Sequence, residues 1–202
     1  MAFDKLPAVL LDSPSAQRGD LLVRGAAEYG RLGTGATGQL LVGGSDPAWA
    51  WRGWVQRAIG NNTSRLQLSA RIPGDDTKPQ QSEGTEIVTA SITPRSADSL
   101  LRLTAWLPLV QNPAVSAVTA LGSFYRDAAV DPIASGACAF NGAENVPFSL
   151  MAEVLAGSTS PCVFKLRFGP IENYPLWLNG NATTRLFGGA LSATLIVDEL
   201  AP

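Results

Sequence analysis

Histidine is absent from all 202 residues. That excludes a Ser-His-Asp triad, a Cys-His pair and any zinc site that uses imidazole. Cysteine is nearly absent. Cys138 and Cys162 sit in Ala-Cys-Ala and Pro-Cys-Val, without metal-ligand spacing, and two thiols alone make a poor zinc site. They read as small buried hydrophobes, and spacing alone leaves open whether they are bridged. Charge is scarce: charged residues make up 16% and the net charge is −2, with arginines scattered along the chain. Phosphate binding needs a basic patch, so no nucleic-acid partner is expected. No apolar run approaches a membrane span. The start, Met-Ala-Phe-Asp-Lys-Leu-Pro, lacks the basic and apolar regions of a signal peptide. No membrane insertion is expected, and synthesis in a cytoplasm is. No cofactor and no metal are expected.

What is present is turn-forming and apolar: 20 Gly, 14 Pro and 46% hydrophobic residues. This suits short strands joined by turns, and surface hidden against partner subunits. Gly33, Gly35 and Gly38 spell a formal G-x-G-x-x-G. A dinucleotide loop needs a buried strand before it, a helix at the third glycine and an acid about 20 residues later. Here Gly43, Gly44 and Pro47 follow too soon for a helix, Glu28 to Leu32 is too polar for a central strand, and Asp46 is too close. The glycines are therefore expected to serve tight turns and close backbone approach.

Three regions are expected. Residues 1–18, with Pro7, Pro14 and a serine-rich centre, are aperiodic and would order only by docking, as an N-terminal anchoring peptide. Residues 19–63 form a thin glycine- and tryptophan-rich attachment segment with no room for its own core. Leu21, Leu22, Leu40, Leu41, Trp49, Trp51 and Trp54 are its candidate trimer or attachment contacts, buried if identical chains intertwine. Residues 64–202 read as β throughout. In 99–109, Leu101, Leu103, Ala105 and Leu107 share one face, and in 162–170, Phe164, Leu166 and Phe168 oppose Val163, Lys165 and Arg167. Further strands are expected over 85–94, 117–128, 147–157 and 185–200, the last with a bulge at Gly188-Gly189. The predicted fold is all-β, a glycine-rich segment followed by an antiparallel, jelly-roll-like β-sandwich.

The stretch GDLLVRGAAEYGRLGTGATGQLLVGGSDPAWAW resembles a module of tailed-bacteriophage tail fibres and related virion appendages. The likeness rests on Gly19 to Leu22, Arg31-Leu32, Gly35 with Gly38 to Leu41, and Pro47 with Trp49, and more loosely on 72–103 and 185–200. It implies a structural virion protein with no catalytic residues: a homotrimeric tail fibre joined through its N-terminus to another tail or head protein. Its β-domain would be presented to a glycan or protein of the host surface. A head-attached fibre or capsid decoration protein is the alternative. Tyr174, Trp177, Asn179 and Asn181 are the candidate receptor-binding loop, through sugar stacking and hydrogen bonding; Trp177 has a competing place in the core or a trimer contact. A glycan depolymerase is a third reading. It would draw on Asp75, Asp76, Asp127, Asp131, Glu144 or Glu153, but adjacent Asp75 and Asp76 suit a turn better than an acid-base pair.

Overall fold

The computed structural model describes residues 21–24, 29–43, 47–50, 52–114 and 116–202. The expected anchoring peptide 1–18, Trp51 and the side chain of Leu22 lie outside these residues. The chain divides into two compact units, Met1–Gly53 and Trp54–Pro202.

In the first unit, β1 (Leu21–Arg24) pairs antiparallel with β2 (Tyr29–Leu32), and β3 (Leu40–Val42) with β4 (Ala48–Ala50). Gly38 takes φ 92 in the turn before β3, closed by Gln39 N–H donating to the Ala36 carbonyl and Ala36 N–H to Gln39 Oε1. Only a residue without Cβ adopts this φ readily. At Gly35, a Cβ would lie 2.5 Å from the Trp49 ring, and the Trp49 indole N–H donates to the Gly33 carbonyl. The G-x-G-x-x-G glycines thus make a turn and seat a tryptophan.

The second unit is all-β and antiparallel. Its strands are β5 (Trp54–Asn62), β6 (Leu66–Leu68), β7 (Thr85–Ile92), β8 (Leu100–Gln111), β9 (Val118–Arg126), β10 (Ala134–Phe140), β11 (Asn145–Leu155), β12 (Cys162–Pro170), β13 (Leu176–Leu178) and β14 (Ala193–Leu200). One sheet runs β10, β9, β12, β7. The other runs β5, β14, β8, with β11 along one side of β8. On its other side, β8 gives residues 100–106 to β14 and residues 110–111 to β13, which pairs in turn with β6. β5 is an integral strand of this sheet, so the compact unit begins at Trp54 rather than at residue 64.

Alternation explains the core. Leu101, Leu103, Ala105 and Leu107 of β8 join Phe164, Leu166 and Phe168 of β12 in one buried cluster fed by both sheets. Each fully buried side chain of this kind contributes roughly 1.5–3 kcal/mol. Phe148 of β11 meets Phe168 edge-to-face, with centroids 5.0 Å apart. Where a final strand was expected over 185–200, Phe187–Gly189 forms a 3-10 turn and the strand starts at Ala193. Positive φ at Phe187, Gly188 and Gly189 ends any extended run there.

Candidate functional site: an open sheet face

The outer faces of the two sheets differ. That of the β7–β12–β9–β10 sheet carries Tyr125, Ser123, Lys165 and Arg167, and the chain's own segment 71–84 straps across it. Arg167 donates to the carbonyls of Glu83 and Gly84, Lys165 Nζ donates to Gln81 Oε1, and Gln81 Nε2 donates to the carbonyls of Asp127 and Ala129. Ile72 N–H donates to the Pro170 carbonyl, anchoring one end of the strap, and Tyr125 is completely buried.

The outer face of the other sheet has no such cover within its unit. The register sets four rows across it. Ser149, Trp106, Thr194 and Asn61 form the first, and Met151, Thr104, Ile196 and Ile59 the second. Glu153, Arg102, Asp198 and Arg57 form the third, and Leu155, Leu100, Leu200 and Trp54 the fourth. Ile59, Met151, Leu155 and Trp54 are 53–65% exposed, and Trp106 is 47% exposed. Large apolar side chains clustered on one strand face mark an interaction surface, whereas scattered ones do not.

The charged row is paired within the chain. Arg57 Nε and Nη2 donate to the two Asp198 oxygens at 2.7 and 3.0 Å, the Trp54 indole donates to Asp198 Oδ1 at 2.9 Å, and Arg102 Nε donates to Glu153 Oε1 at 2.7 Å. The hydrogen bond from Arg57 is the chief reason the Asp198 carboxyl is held below its ordinary range. Modest burial opposes it, and the Trp54 indole with the charges of Arg57 and Arg102 assists.

The loop residues expected to bind a receptor are placed apart in role. Tyr174 is exposed. Trp177 lies in β13 beneath the Arg65 guanidinium, 3.9 Å from the ring centroid, and Arg65 also donates to the carbonyls of Asn181 and Ala182. Asn179 is fully buried and donates to the carbonyls of Asn62 and Ser64. Asn181 Oδ1 accepts from Thr183 N–H, Thr183 Oγ1 and Thr184 N–H. Of the expected attachment contacts, Leu21, Leu40 and Leu41 are exposed, Trp49 is half-buried, and Trp54 belongs to the open face of the second unit.

Asp75, Asp127, Asp131 and Glu153 serve turns, backbone hydrogen bonds and ion pairs. Asp75 closes a turn onto Thr77, whose hydroxyl and N–H hold its carboxyl below the ordinary range. Asp127 accepts from Val163 N–H and Asp131 pairs with Lys78. Both cysteines are free, and burial pushes the Cys138 thiol up to about 11. A groove of about 210 Å³, lined by Asn61, Asn62, Glu86, Ile87, Val88 and Thr89, is smaller than ordinary ligand clefts. Among the described residues no group of three or more His, Cys, Asp or Glu could hold a metal.

Sequence reasoning named Trp54 but missed Ile59, Trp106, Met151 and Leu155. The available signal was that β8 and β11 carry apolar residues on both faces, Leu100 and Trp106 as well as Leu101 to Leu107. A strand exposed on one side would alternate with polar residues.

The fold and face define a class: an antiparallel β-domain with one sheet capped by its own chain and the other left open. Residues 72–197 match the family model of the Pgp3 C-terminal domain, and the chain belongs to this family, which is that of a Chlamydia virulence protein. No curated protein matches. Among solved structures, that of infectious bursal disease virus Gx strain is similar over 88% of this chain at 14% identity, with a TM-score of 0.36. The chain spans 44% of that viral chain.

The family match overturns the tailed-phage resemblance. The tail-fibre function, the head-fibre alternative and the virion localisation all fall with it. The phage likeness was most specific over residues 19–54, which lie outside the matched residues 72–197. The family match covers more than half of the chain and reaches from the strap into β14.

Proposed function

We propose that residues 54–202 form a self-assembling binding module rather than an enzyme: a jelly-roll β-sandwich that associates as a homotrimer through its open sheet face. The strand order supports the jelly roll, with β5, β14, β8 and β11 in one sheet and β7, β12, β9 and β10 in the other. One observation carries the assembly: among the described residues, the strap covers one sheet while the opposite sheet leaves two rows, apolar but for Thr104, uncovered. Those rows run the full width of the face, from Trp54 and Ile59 on β5 to Met151 and Leu155 on β11. A face apolar at both margins can meet two neighbours, as a closed ring requires.

Light scattering coupled to size exclusion tests this. The unsubstituted chain is expected at three times its 21.2 kDa mass. Ile59→Glu with Met151→Glu places carboxylates in the second row and is expected to yield a folded monomer. Both side chains are exposed in the single chain, so substitution there costs it only about 0.5 kcal/mol or less. A monomeric unsubstituted chain at micromolar concentration would sink the proposal.

A further inference from the structure

We infer that the row Arg57, Asp198, Arg102 and Glu153 makes self-assembly conditional on the Asp198 carboxylate being ionised, so that acid separates the copies while each stays folded. This rests on the assembly reading above and adds its regulation. The occupant of the face is a second copy of this chain, and the charge pattern argues for it. The row holds two cations and two anions, each already paired within one chain: Arg57 with Asp198 at 2.7 Å and Arg102 with Glu153 at 2.7 Å. A face that is neutral by itself needs no opposite charge from a partner, so the surface of another copy of this chain can cover it. A partner of strong single-sign charge would find nothing complementary.

Covering the row is tolerable only while the pairs are intact, because a buried charge stripped of its partner is strongly destabilising. Arginine stays protonated at any working pH. Protonating Asp198 therefore leaves Arg57 without its counter-charge, one unbalanced cation per copy, gathered where the copies meet. The surroundings offer no substitute. On the outer face, β5 contributes Trp54, Arg57 and Ile59; β8 contributes Leu100, Arg102 and Thr104; β11 contributes Met151, Glu153 and Leu155. The neighbouring acid on β14, Glu199, is fully buried on the other side, accepting from Gln56 Nε2 and the backbone N–H groups of Arg95 and Ser96. With no histidine in the chain, no side chain of ordinary pKa changes charge between about pH 5 and 8.

Asp198 is held below its ordinary range. A depressed carboxyl contributes fully above its unfolded pKa and loses that contribution as pH falls through its folded pKa. Separation is therefore expected only in acid, below the ordinary carboxylate range.

Sedimentation velocity on the full chain at about pH 7.5, 5.5 and 2.5, with near-ultraviolet circular dichroism to follow folding, is the test. Assembly is expected at the two higher values, with an at least tenfold weaker association and a retained folded signal at the lowest. At neutral pH, Asp198→Asn is expected to weaken association by a similar factor, and adding Arg57→Gln, which restores neutrality, to recover most of it. If the unsubstituted chain is monomeric throughout, the assembly reading itself fails. If it assembles but stays assembled and folded in acid, only this inference is overturned. If acid unfolds the chain, the neutral-pH variants decide: a double variant no stronger than Asp198→Asn overturns the charge-balance argument.

Discussion

Asn179 shows how a residue chosen for recognition chemistry can be absorbed by the fold. It holds φ 56, and its amide donates to the carbonyls of Asn62 at 2.9 Å and Ser64 at 3.2 Å. Asparagine tolerates this backbone region better than most residues, and its amide serves buried carbonyls as readily as a sugar hydroxyl. Asn179→Ala removes both hydrogen bonds and places an alanine at positive φ. A loss of about 2–3 kcal/mol is expected. Asn179→Gly keeps the loss of bonds but relieves the backbone, and is expected to cost about 1 kcal/mol less. Urea unfolding with a common slope measures both. From sequence, the residue types of this loop were legible and their burial was not, because burial depends on β5 and β6 arriving from more than 100 residues earlier.

At the scale of the strand, Gly60 fixes how closely β5 crosses β7. A Cβ there would lie 1.8 Å from the Thr89 carbonyl oxygen and 3.1 Å from Val88 Cγ2. Gly60→Ala must push the two strands apart, and a loss of about 1–3 kcal/mol is expected in the same unfolding measurement. The full-length Asn62 amide bond to the Ile87 carbonyl, 2.7 Å, is the contact most exposed to that shift. Strands with a strong inward stripe were readable in advance: Leu101 to Leu107 in β8 and Phe164 to Phe168 in β12 point inward as their alternation predicts. β10 was not, because Ala134 to Ala139 is built from small residues of weak strand preference and is placed by pairing with β9. β5 was hidden for the opposite reason. Its large residues, Trp54 and Ile59, face outward, while Ala58 and Gly60 face the core side.

For the whole molecule, the all-β class was legible from turn residues and alternation, whereas the open face was not. The charged row exists only once four strands are in register, since Arg57 and Glu153 are separated by nearly half of the chain. The family was not legible because its match lies over 72–197, whereas the compact glycine motifs near the start carried the phage likeness. The same long-range pairing governs stability. β14 lies between β5 and β8, bonded to both along its length. A chain ending at Leu191 would leave β5 without its neighbour and the core without Leu195 and Val197. It is expected to show no cooperative thermal transition by circular dichroism, where the full chain shows one. The position of β14 also sets a clock for biosynthesis. The second strand of its sheet is the last to be translated, so β5 and β8 must wait, unjoined, until residues 193–200 have left the ribosome. Their apolar margins stay open to neighbouring nascent chains from the emergence of β5 and β8 until β14 follows, and a polysome making this protein would bring several such chains within reach of one another.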